Sequence, residues 1–475
     1  MRIAMVASEC EPYAKTGGLA DVVDALSRAL GELGHEVDVY LPMYRGIQVP
    51  APAETLSLEV PMGTGLVPVT LRSGRGHGYR LRLVDHAASF DRPDYYLVEP
   101  GVGPDYPDNS WRFTLLGRAA LEAMRVENRV ADVLHGHDWE AAPAILGLVH
   151  RYGADPLFSR VATVLTCHNL AYHGWVPRDQ VAPQLDLPDG VGNADGVDLL
   201  REGLIAADLA TTVSPTFARE SLEGELGAGL DDVLRHGAAT GRYMGIINGL
   251  DNELWNPATD ADLPARYSAS DMVGKQVCKV ALAAELGLDP DGPILAMVSR
   301  LDPQKGFDLL AAAAPGILDL GARICVLGTG DKRLVGELQL LARANPGRLA
   351  VVDRFDRTLA RRMYAGADSF LMPSRFEPCG QSQMIAMRYG TPPIVRFTGG
   401  LVDTVIDADQ DPINGTGFGF GPADPRALEA TVGRALAAFA EADRWARVVR
   451  NAMATDFSWR RPALDYVAAY RRLLS

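Results

Sequence analysis

Short apolar runs alternate with amphipathic stretches along the whole chain. Arg2–Ala7 is an apolar run, and apolar residues at helical spacing follow over Leu19–Leu33 until Gly34 ends the pattern. Val37–Leu41 is apolar again, so residues 2–41 predict one strand, helix, strand unit. Ligands of such units bind at the carboxyl end of the strand, where the connecting loop lies.

The same alternation continues through both halves of the chain. Later strands of the first half are predicted at Val130–Leu134, Val161–Thr166 and Leu209–Val213. Pro50–Gly103 is less regular and indicates an insertion of strands and loops. In the second half, strands are predicted at Ile294–Val298, Ala322–Leu327, Leu349–Val352, Ser369–Met372 and Pro393–Val395, and closing helices near Ala427–Ala440 and Pro462–Leu474. The pattern predicts an α/β protein of two doubly wound domains, joined by a turn-rich segment from Asn248 to about Asp271.

Composition narrows the class of protein. The 475 residues carry 46 basic and 60 acidic side chains, a net charge of −14 that repels nucleic acid and anionic membranes, so neither is expected as a partner. No apolar run reaches the roughly 18 residues of a membrane span, and a soluble, cytoplasmic protein is expected. The five cysteines are scattered, which predicts buried, reduced thiols rather than disulfides or a zinc site.

Lysine is scarce, and two of the five lysines lie beside glycines. Lys15 precedes Thr16-Gly17-Gly18, and Lys305 precedes Gly306. A compact ammonium in a glycine-rich loop suits phosphate. Together with Arg300, which follows a predicted strand, these lysines could neutralise a diphosphate without a metal.

A glycine motif occurs once in each half. Thr16–Val22 is echoed by Thr398–Thr404, each placed before a predicted helix. Bare backbone N–H groups at a helix N-terminus attract phosphate or hydroxyl-rich ligands. The two motifs favour a ligand held in the cleft between two facing domains.

A histidine-rich pair of strand ends has two interpretations. His135-Gly136-His137-Asp138-Trp139 follows one predicted strand, and Thr166–Tyr172 includes His168 after the next. A metal site needs more ligands than the His-x-His spacing supplies. Asp138 and His168 are better interpreted as polar groups of a sugar pocket in which Trp139 offers a ring face, the alternative being packing beneath a loop.

The segment Pro373–Gln383 is the clearest candidate for a catalytic loop. Glu377 is predicted at a loop tip, and the amides of Cys379, Gly380 and Gln381 are predicted to open a helix. Retaining glycosyl transfer passes through an oxocarbenium-like state that needs a nearby carboxylate and a stabilised leaving group. Glu377 and the cationic residues would supply both.

These motifs, taken together, resemble the bacterial glycogen synthase and plant starch synthase family over the whole chain. The matching segments are Lys15–Asp21, His168–Tyr172, Asn248–Asp251, Arg300 with Lys305, Arg375–Gly380 and Thr398–Leu401. The resemblance implies a GT-B glycosyltransferase of domains 1–245 and 246–456, with a helix at 457–475 returning to the first. It implies metal-independent, cofactor-free transfer of glucose from ADP-glucose to the non-reducing 4-hydroxyl of an α-1,4-glucan such as glycogen, with retention.

The resemblance also implies site residues on the donor side. Lys15, Arg300 and Lys305 would bind the diphosphate, and Gly18 would line it. Phe355 falls where the family places an aromatic ring against the adenine.

Further roles are implied around the glucose. Asp21, Asp138 and Asn248 would contact the sugar or acceptor, His168 would direct its carbonyl at the anomeric carbon, and Tyr95 is a candidate acceptor contact. Glu377 would bind glucose hydroxyls. The remaining substrate-binding positions are Asn169, Cys379, Gly380, Thr398 and Gly400.

Departures from the family pattern leave alternatives open. Gln381 and Ser382 stand where Leu and Thr are common, and Ile385 stands where related GT-B families carry a second glutamate. UDP-glucose as donor, a pyridoxal-dependent phosphorylase and a non-catalytic glucan-binding relative are the rival functions. Front-face substitution is favoured over a covalent glycosyl-enzyme, and the sequence does not decide between them.

Overall fold

The chain folds into two α/β units, each built on a sheet of its own. A computed structural model describes residues 1–99, 103–185, 187–188 and 190–475. The first unit comprises Met1–Gly249 and Trp459–Ser475, and the second comprises Leu250–Ser458. The boundaries thus fall a few residues beyond the predicted ones, and the turn-rich segment from Leu250 onward belongs to the second unit.

The first unit is built on a largely parallel sheet. Its strands are β1 (Arg2–Val6), β2 (Glu36–Pro42), β3 (Glu54–Met62), β4 (Gly65–Arg75), β5 (Arg80–Asp85), β6 (Val133–His137), β7 (Ala162–Cys167), β8 (Trp175–Pro177), β9 (Gly196–Asp198), β10 (Leu209–Thr212) and β11 (Tyr243–Gly245). The sheet order is β11-β10-β7-β6-β1-β2-β5-β4-β3, and β8 with β9 forms a separate antiparallel pair. β1 is central, so the loop that follows it lies at the switch in strand order where such sheets bind ligands.

Helices cover this sheet. They are α1 (Gly18–Glu32), α2 (Ala87–Phe90), α3 (Asn109–Val126), α4 (Asp138–His150), α5 (Arg178–Leu185), α6 (Leu199–Ala206), α7 (Pro215–Glu220) and α8 (Asp231–Ala239). Central strands such as β1 and β7 are almost wholly buried, because helices cover a parallel sheet on both faces.

One strand prediction of the first unit needs correction, and the strands expected in Pro50–Gly103 are confirmed. β6 begins at Val133 rather than Val130 and includes His135 and His137, so the histidines lie within the strand and not after it. The predicted insertion Pro50–Gly103 supplies β5, which pairs parallel to β2, and the antiparallel hairpin β3–β4 that extends the sheet. Residues 100–102 of that segment lie outside the described residues.

The second unit has a parallel sheet of its own. Its strands are β12 (Ile294–Val298), β13 (Arg323–Leu327), β14 (Leu349–Val352), β15 (Ser369–Met372), β16 (Pro393–Arg396) and β17 (Phe418–Phe420), in the order β14-β13-β12-β15-β16-β17. The predicted strands are confirmed to within a residue at each end. β17 was not predicted, because three residues among glycines carry too little apolar pattern.

Helices again flank the sheet. They are α9 (Val273–Leu286), α10 (Phe307–Asp319), α11 (Lys332–Ala344), α12 (Arg357–Gly366), α13 (Ser382–Arg388), α14 (Gly400–Thr404), α15 (Pro425–Ala440) and α16 (Ala442–Ala454). Asp331, Asp356 and Asp424 cap α11, α12 and α15 with their carboxylates, as expected for aspartate at this position.

The closing helix, α17 (Arg460–Leu474), belongs to the first unit. The Tyr470 hydroxyl lies 2.7 Å from Nδ1 of His135 in β6, and Tyr466 packs against the same imidazole. The last helix of the chain therefore helps to fix the histidine row described below.

Candidate active site

A buried carboxylate organises the glycine loop of the first unit. The Glu9 side chain, just after β1, accepts hydrogen bonds from the Thr16 amide at 2.6 Å, the Thr16 hydroxyl at 2.5 Å and the Gly17 amide at 3.2 Å. The Tyr96 hydroxyl donates to the same carboxylate at 2.8 Å. The expectation of bare amides is therefore wrong for Thr16 and Gly17, because Glu9 occupies both. Glu9 is not predictable as a site residue from sequence, since a lone glutamate in a loop carries no motif.

Two predicted site residues meet beside this loop. Lys15 Nζ lies 2.5 Å from Asp21 Oδ1 and 3.4 Å from a Glu11 carboxylate oxygen. A Cβ added at Gly18 would meet nothing within 4 Å, so no packing requirement of the described structure makes this residue glycine. The open backbone at Gly18 lets a ligand approach closely.

Three histidines form a row at the carboxyl ends of β6 and β7. The rings of His135 and His137 have centroids 4.3 Å apart, and those of His137 and His168 5.3 Å apart. His137 Nδ1 lies 3.1 Å from His168 Nε2, so one nitrogen carries the proton and the other accepts it. Burial lowers the pKa of His135 and of His168 to about 3, so each imidazole is neutral at physiological pH.

Asp138 fixes the backbone of the neighbouring strand end. Its φ of +58° is uncommon for a residue other than glycine, and its carboxylate accepts the amides of His168 at 2.6 Å and Asn169 at 3.3 Å. Burial raises the pKa of this carboxyl to about 7, which the two backbone hydrogen bonds partly offset. Asp138 thus orients the peptide carrying the His168 carbonyl.

Three other residues of the first unit have different surroundings. Trp139 is only 8% exposed, and its ring packs beneath Gly174, so packing under a loop is what the structure shows rather than a ring face open to sugar. Tyr95 stacks on Tyr44 with ring centroids 4.3 Å apart. Asn248 is buried, and its Oδ1 is an acceptor without a hydrogen-bond partner among the described residues.

The centre of the second unit is an ion pair. Lys305 Nζ donates to both oxygens of Glu377, at 2.9 and 2.7 Å, and the Ser374 hydroxyl donates to one of them at 3.1 Å. Glu377 is buried and Lys305 is partly buried. The ammonium and the carboxylate, predicted from separate motifs, are direct partners.

Backbone contacts hold the two loops that carry this pair. The Arg375 amide donates to the Gln304 carbonyl at 2.7 Å. Gly306 has a φ of +76°, and a Cβ there would lie 2.1 Å from the Pro373 carbonyl oxygen, so this approach requires glycine. The positions of Lys305 and Glu377 are therefore set by the backbone rather than by the side chains alone.

The second glycine motif packs directly on the Glu377 loop. The Gly400 amide donates to the Glu377 carbonyl at 3.0 Å, and a Cβ at Gly400 would lie 2.1 Å from the Cys379 carbonyl oxygen. The Gln383 side chain donates to the carbonyls of Cys379 and Gly380, each at 3.1 Å. Gln383, like Ser374, was not singled out from the sequence, although it lies in the quoted motif.

One correction concerns this loop. α13 begins at Ser382 and not around Gly380, and it is preceded by Gly380 at a φ of +73°. Both glycine motifs do lie at a helix N-terminus, as predicted, and the helices α1 and α14 begin at Gly18 and Gly400. Thr398 is buried next to this start.

Two predicted donor residues are exposed. The Arg300 side chain is 71% exposed and forms a long contact of 3.5 Å with Asp302. Phe355 is 84% exposed, which is unusual for a phenylalanine and leaves its ring free to stack.

The cysteines and the helices bear on two further expectations, about disulfides and membrane spans. All five cysteines are buried, as expected, and none of them is paired in a disulfide. Within the described ranges, no group of three His, Cys, Asp or Glu side chains is placed to hold a metal, and no helix is long and apolar enough to cross a membrane.

Comparisons with known proteins assign the chain to a family. The model of the starch synthase catalytic domain matches residues 2–236, and that of glycosyl transferases group 1 matches residues 281–451. Glycogen synthase of Anaeromyxobacter dehalogenans (strain 2CP-C) is 43% identical over 100% of both chains. Glycogen synthase of Syntrophotalea carbinolica is 40% identical over 99% of both. The chain belongs to the glycogen synthase and starch synthase family.

Solved structures give the same fold. The catalytic domain of starch synthase IV from Arabidopsis thaliana, bound to ADP and acarbose, matches with a TM-score of 0.88 and 33% identity, covering 100% of this chain and 99% of that one. Sucrose-phosphate synthase from Thermosynechococcus elongatus matches with a TM-score of 0.61 and 20% identity, covering 99% of this chain and 98% of that one. The expected GT-B glycosyltransferase fold is confirmed, and as a member of the glycogen and starch synthase family the chain is a glucosyltransferase.

Proposed function

We propose that this chain transfers glucose from ADP-glucose to the non-reducing 4-hydroxyl of an α-1,4-glucan, with retention of the anomeric configuration. The observation that carries the proposal is the buried Glu377 carboxylate held by Lys305 and Ser374. The likeness to glycogen synthases at 40–44% identity supports the donor and the acceptor. The solved starch synthase IV holds ADP and the oligosaccharide analogue acarbose, which are ligands of these classes.

The donor roles fall to the second unit. Lys305 and Arg300 bind the diphosphate, and Phe355 stacks on the adenine, for which its exposed ring is suited. Glu377 accepts hydrogen bonds from glucose hydroxyls. Because Lys305 also pairs with Glu377, the ammonium holds the carboxylate and the leaving phosphate in one electrostatic arrangement.

The remaining roles fall to the first unit. Lys15 contributes a further cation, and the open backbone at Gly18 approaches the phosphates. Asp138 orients the His168 backbone, whose carbonyl faces the anomeric carbon. The free Oδ1 of Asn248 accepts a hydrogen bond from a sugar hydroxyl.

The chemical step is a front-face substitution. The bond from glucose C1 to the phosphate oxygen breaks while a bond from C1 to the acceptor 4-oxygen forms on the same face. The proton of the 4-hydroxyl passes to the departing phosphate oxygen, so ADP leaves without a separate base. The fixed dipoles around the oxocarbenium-like centre lower the barrier because they need no reorganisation.

The deciding experiment is transfer of labelled glucose from ADP-glucose, and in parallel from UDP-glucose, to glycogen in the presence of EDTA. We expect incorporation from ADP-glucose, with α-linked product. Preferred use of UDP-glucose would contradict the donor assignment. Binding of glycogen by folded protein without transfer from either donor would contradict the enzyme and favour a glucan-binding relative.

The same proposal covers location and partners. We propose a cytoplasmic enzyme that acts on ADP-glucose and glycogen and has neither a nucleic-acid nor a membrane partner. The net charge of −14 supports this, because both of those surfaces are anionic.

A further inference from the structure

Two large aromatic side chains are exposed on one short loop of the first unit. Tyr172 is 63% exposed and Trp175 is 49% exposed, and both belong to residues 168–175, here called the aromatic loop. The loop leads from the end of β7 into β8. Large apolar side chains left exposed within one short segment make that segment a candidate binding surface.

The backbone of the aromatic loop is held in place along its length. Asp138 accepts the His168 amide at its start, and the Asn169 side chain accepts the Ala171 amide at 2.9 Å. The His173 ring bridges the loop to its surroundings, with Nδ1 2.5 Å from an Asp198 carboxylate oxygen and Nε2 2.9 Å from the Leu170 carbonyl. The exposed rings therefore stand on a fixed support.

Two glycines fit around the tryptophans near this loop. A Cβ at Gly196 would lie 2.8 Å from the Trp175 indole, so the ring covers the glycine. Gly174, at a φ of +68°, would bring a Cβ to 2.1 Å from the Trp139 ring beneath it. Trp175 itself pairs with Asp198 in the β8–β9 ladder. One indole thus supports the loop from below while the other stays partly open to solvent.

We infer that Tyr172 and Trp175 form a platform for glucose units of the acceptor distant from the reacting end. The inference rests on the proposed function, because His168 at the start of the same loop is placed at the reacting glucose. Trp175 is seven residues further on, within about 25 Å along the chain. The apolar C–H face of a glucose ring stacks on an aromatic ring while its hydroxyls stay solvated.

The platform gives the enzyme a preference for long acceptors. A short oligosaccharide ends before it reaches these rings, whereas an outer chain of glycogen extends over them. The stacking contacts are remote from the bond being made and are equal before and during transfer, so they lower the KM of long acceptors without changing kcat.

The test compares the two kinds of acceptor in Tyr172→Ala, Trp175→Ala and the double variant. We expect the KM for glycogen to rise about tenfold in the double variant, as loss of one to two aromatic contacts implies. The KM for maltotriose and for ADP-glucose should stay within about twofold of the parent values. Tyr172→Phe and Trp175→Phe keep the rings and should retain the parent KM for glycogen.

Leu66→Ala, which also removes an exposed apolar side chain but lies in β4, is the matched control and should change no constant. The platform would be overturned if the KM rose equally for both acceptors or if the KM for glycogen did not change. It would also be overturned if the phenylalanine variants were as impaired as the alanine variants.

The platform and the proposed function can be refuted independently of each other. If the parent protein transfers no glucose to either acceptor, the proposed function is wrong. Retardation of the protein in native gels containing glycogen then tests the platform alone. Loss of retardation in the double variant would support it, and unchanged retardation would overturn it.

Discussion

Lys305 Nζ contacts both carboxylate oxygens of Glu377, at 2.9 and 2.7 Å, across 72 positions of sequence. The lysine lies at the end of a short 3₁₀ turn after β12, and the glutamate lies in the loop after β15. Because β12 and β15 are parallel neighbours, their carboxyl ends meet at one edge of the sheet. The lysine proposed to bind phosphate and the glutamate proposed to bind sugar are therefore in direct contact.

Removal of the carboxylate should impair turnover more than folding. We expect Glu377→Ala to lower kcat on the order of 10²-fold or more, because a preorganised charge beside the reacting sugar is lost. Glu377→Gln, which keeps the shape and one acceptor oxygen, should lose less. The measurements are labelled-glucose transfer and thermal unfolding of each variant. Turnover near that of the parent would refute the role of Glu377.

The ion pair also predicts a stability coupling. Lys305→Met leaves the Glu377 carboxylate buried without its cation, which we expect to lower the free energy of unfolding by about 3 kcal/mol. Adding Glu377→Gln to that variant should restore most of the loss, since no uncompensated charge remains. Urea unfolding of the two single variants and the double variant gives the coupling directly. Strictly additive losses would show that the pair contributes no interaction of its own.

The sequence predicted the elements that depend on local pattern. β12, β14 and β15 fall at their predicted residues, because each is a continuous apolar run between polar loops. Both glycine motifs open helices for the same reason, since a Gly-Gly turn before an amphipathic stretch is a local signal.

What the sequence did not predict depends on contacts between distant residues. Glu9 was missed because its partners, Thr16 and Tyr96, are identified only in three dimensions. The burial of Trp139 was left open because it follows from Gly174, which has room for the indole only through its missing Cβ. Side-chain burial and hydrogen-bond partners of this kind have no periodic signature.

Glu9 is expected to act on the Lys15 loop without touching substrate. Two donors bond to each oxygen of Glu9, so Glu9→Gln leaves one acceptor oxygen and presents an NH₂ group to the two donors of the other, and the loop loses part of its support. We expect the KM for ADP-glucose to rise about tenfold with a smaller change in kcat, as loss of one to two charged hydrogen bonds implies. Tyr96→Phe, which removes one donor to Glu9 and leaves the carboxylate, is the matched control and should be milder. Equal effects on kcat and KM would contradict a positioning role.

The two glycine motifs should respond differently to alanine. At Gly18 a Cβ meets nothing within 4 Å, whereas at Gly400 it would lie 2.1 Å from the Cys379 carbonyl oxygen. Gly18→Ala is therefore expected to keep its Tm and to raise the KM for ADP-glucose, while Gly400→Ala should lower the Tm. Gly336→Ala, in the interior of α11 with no neighbour in reach, should raise stability by up to about 1 kcal/mol. A parent-like KM in Gly18→Ala would show that this glycine serves no ligand.

Acid should destabilise the first unit through its buried histidines. Burial lowers the pKa of His135 to about 3 in the folded protein, against about 6.5 when unfolded. Between those values the unfolded chain binds a proton that the folded chain does not, so stability falls as pH decreases below 6.5. Asp138 has the opposite effect on stability as the pH decreases, because burial raises the pKa of its carboxyl to about 7.

His135→Gln tests this histidine, because the carboxamide can still bond to Tyr470 and Thr166 but takes up no proton. Asp138 is present in parent and variant alike, so its contribution largely cancels in the comparison. We expect urea unfolding between pH 4 and pH 6.5 to show that the free energy of unfolding changes less steeply with pH in the variant, by up to about 1.4 kcal/mol per pH unit. Above pH 7 the two curves should run parallel, because neither folded nor unfolded state takes up a proton at this position. Identical slopes below pH 6.5 would show that His135 is not kept neutral by burial.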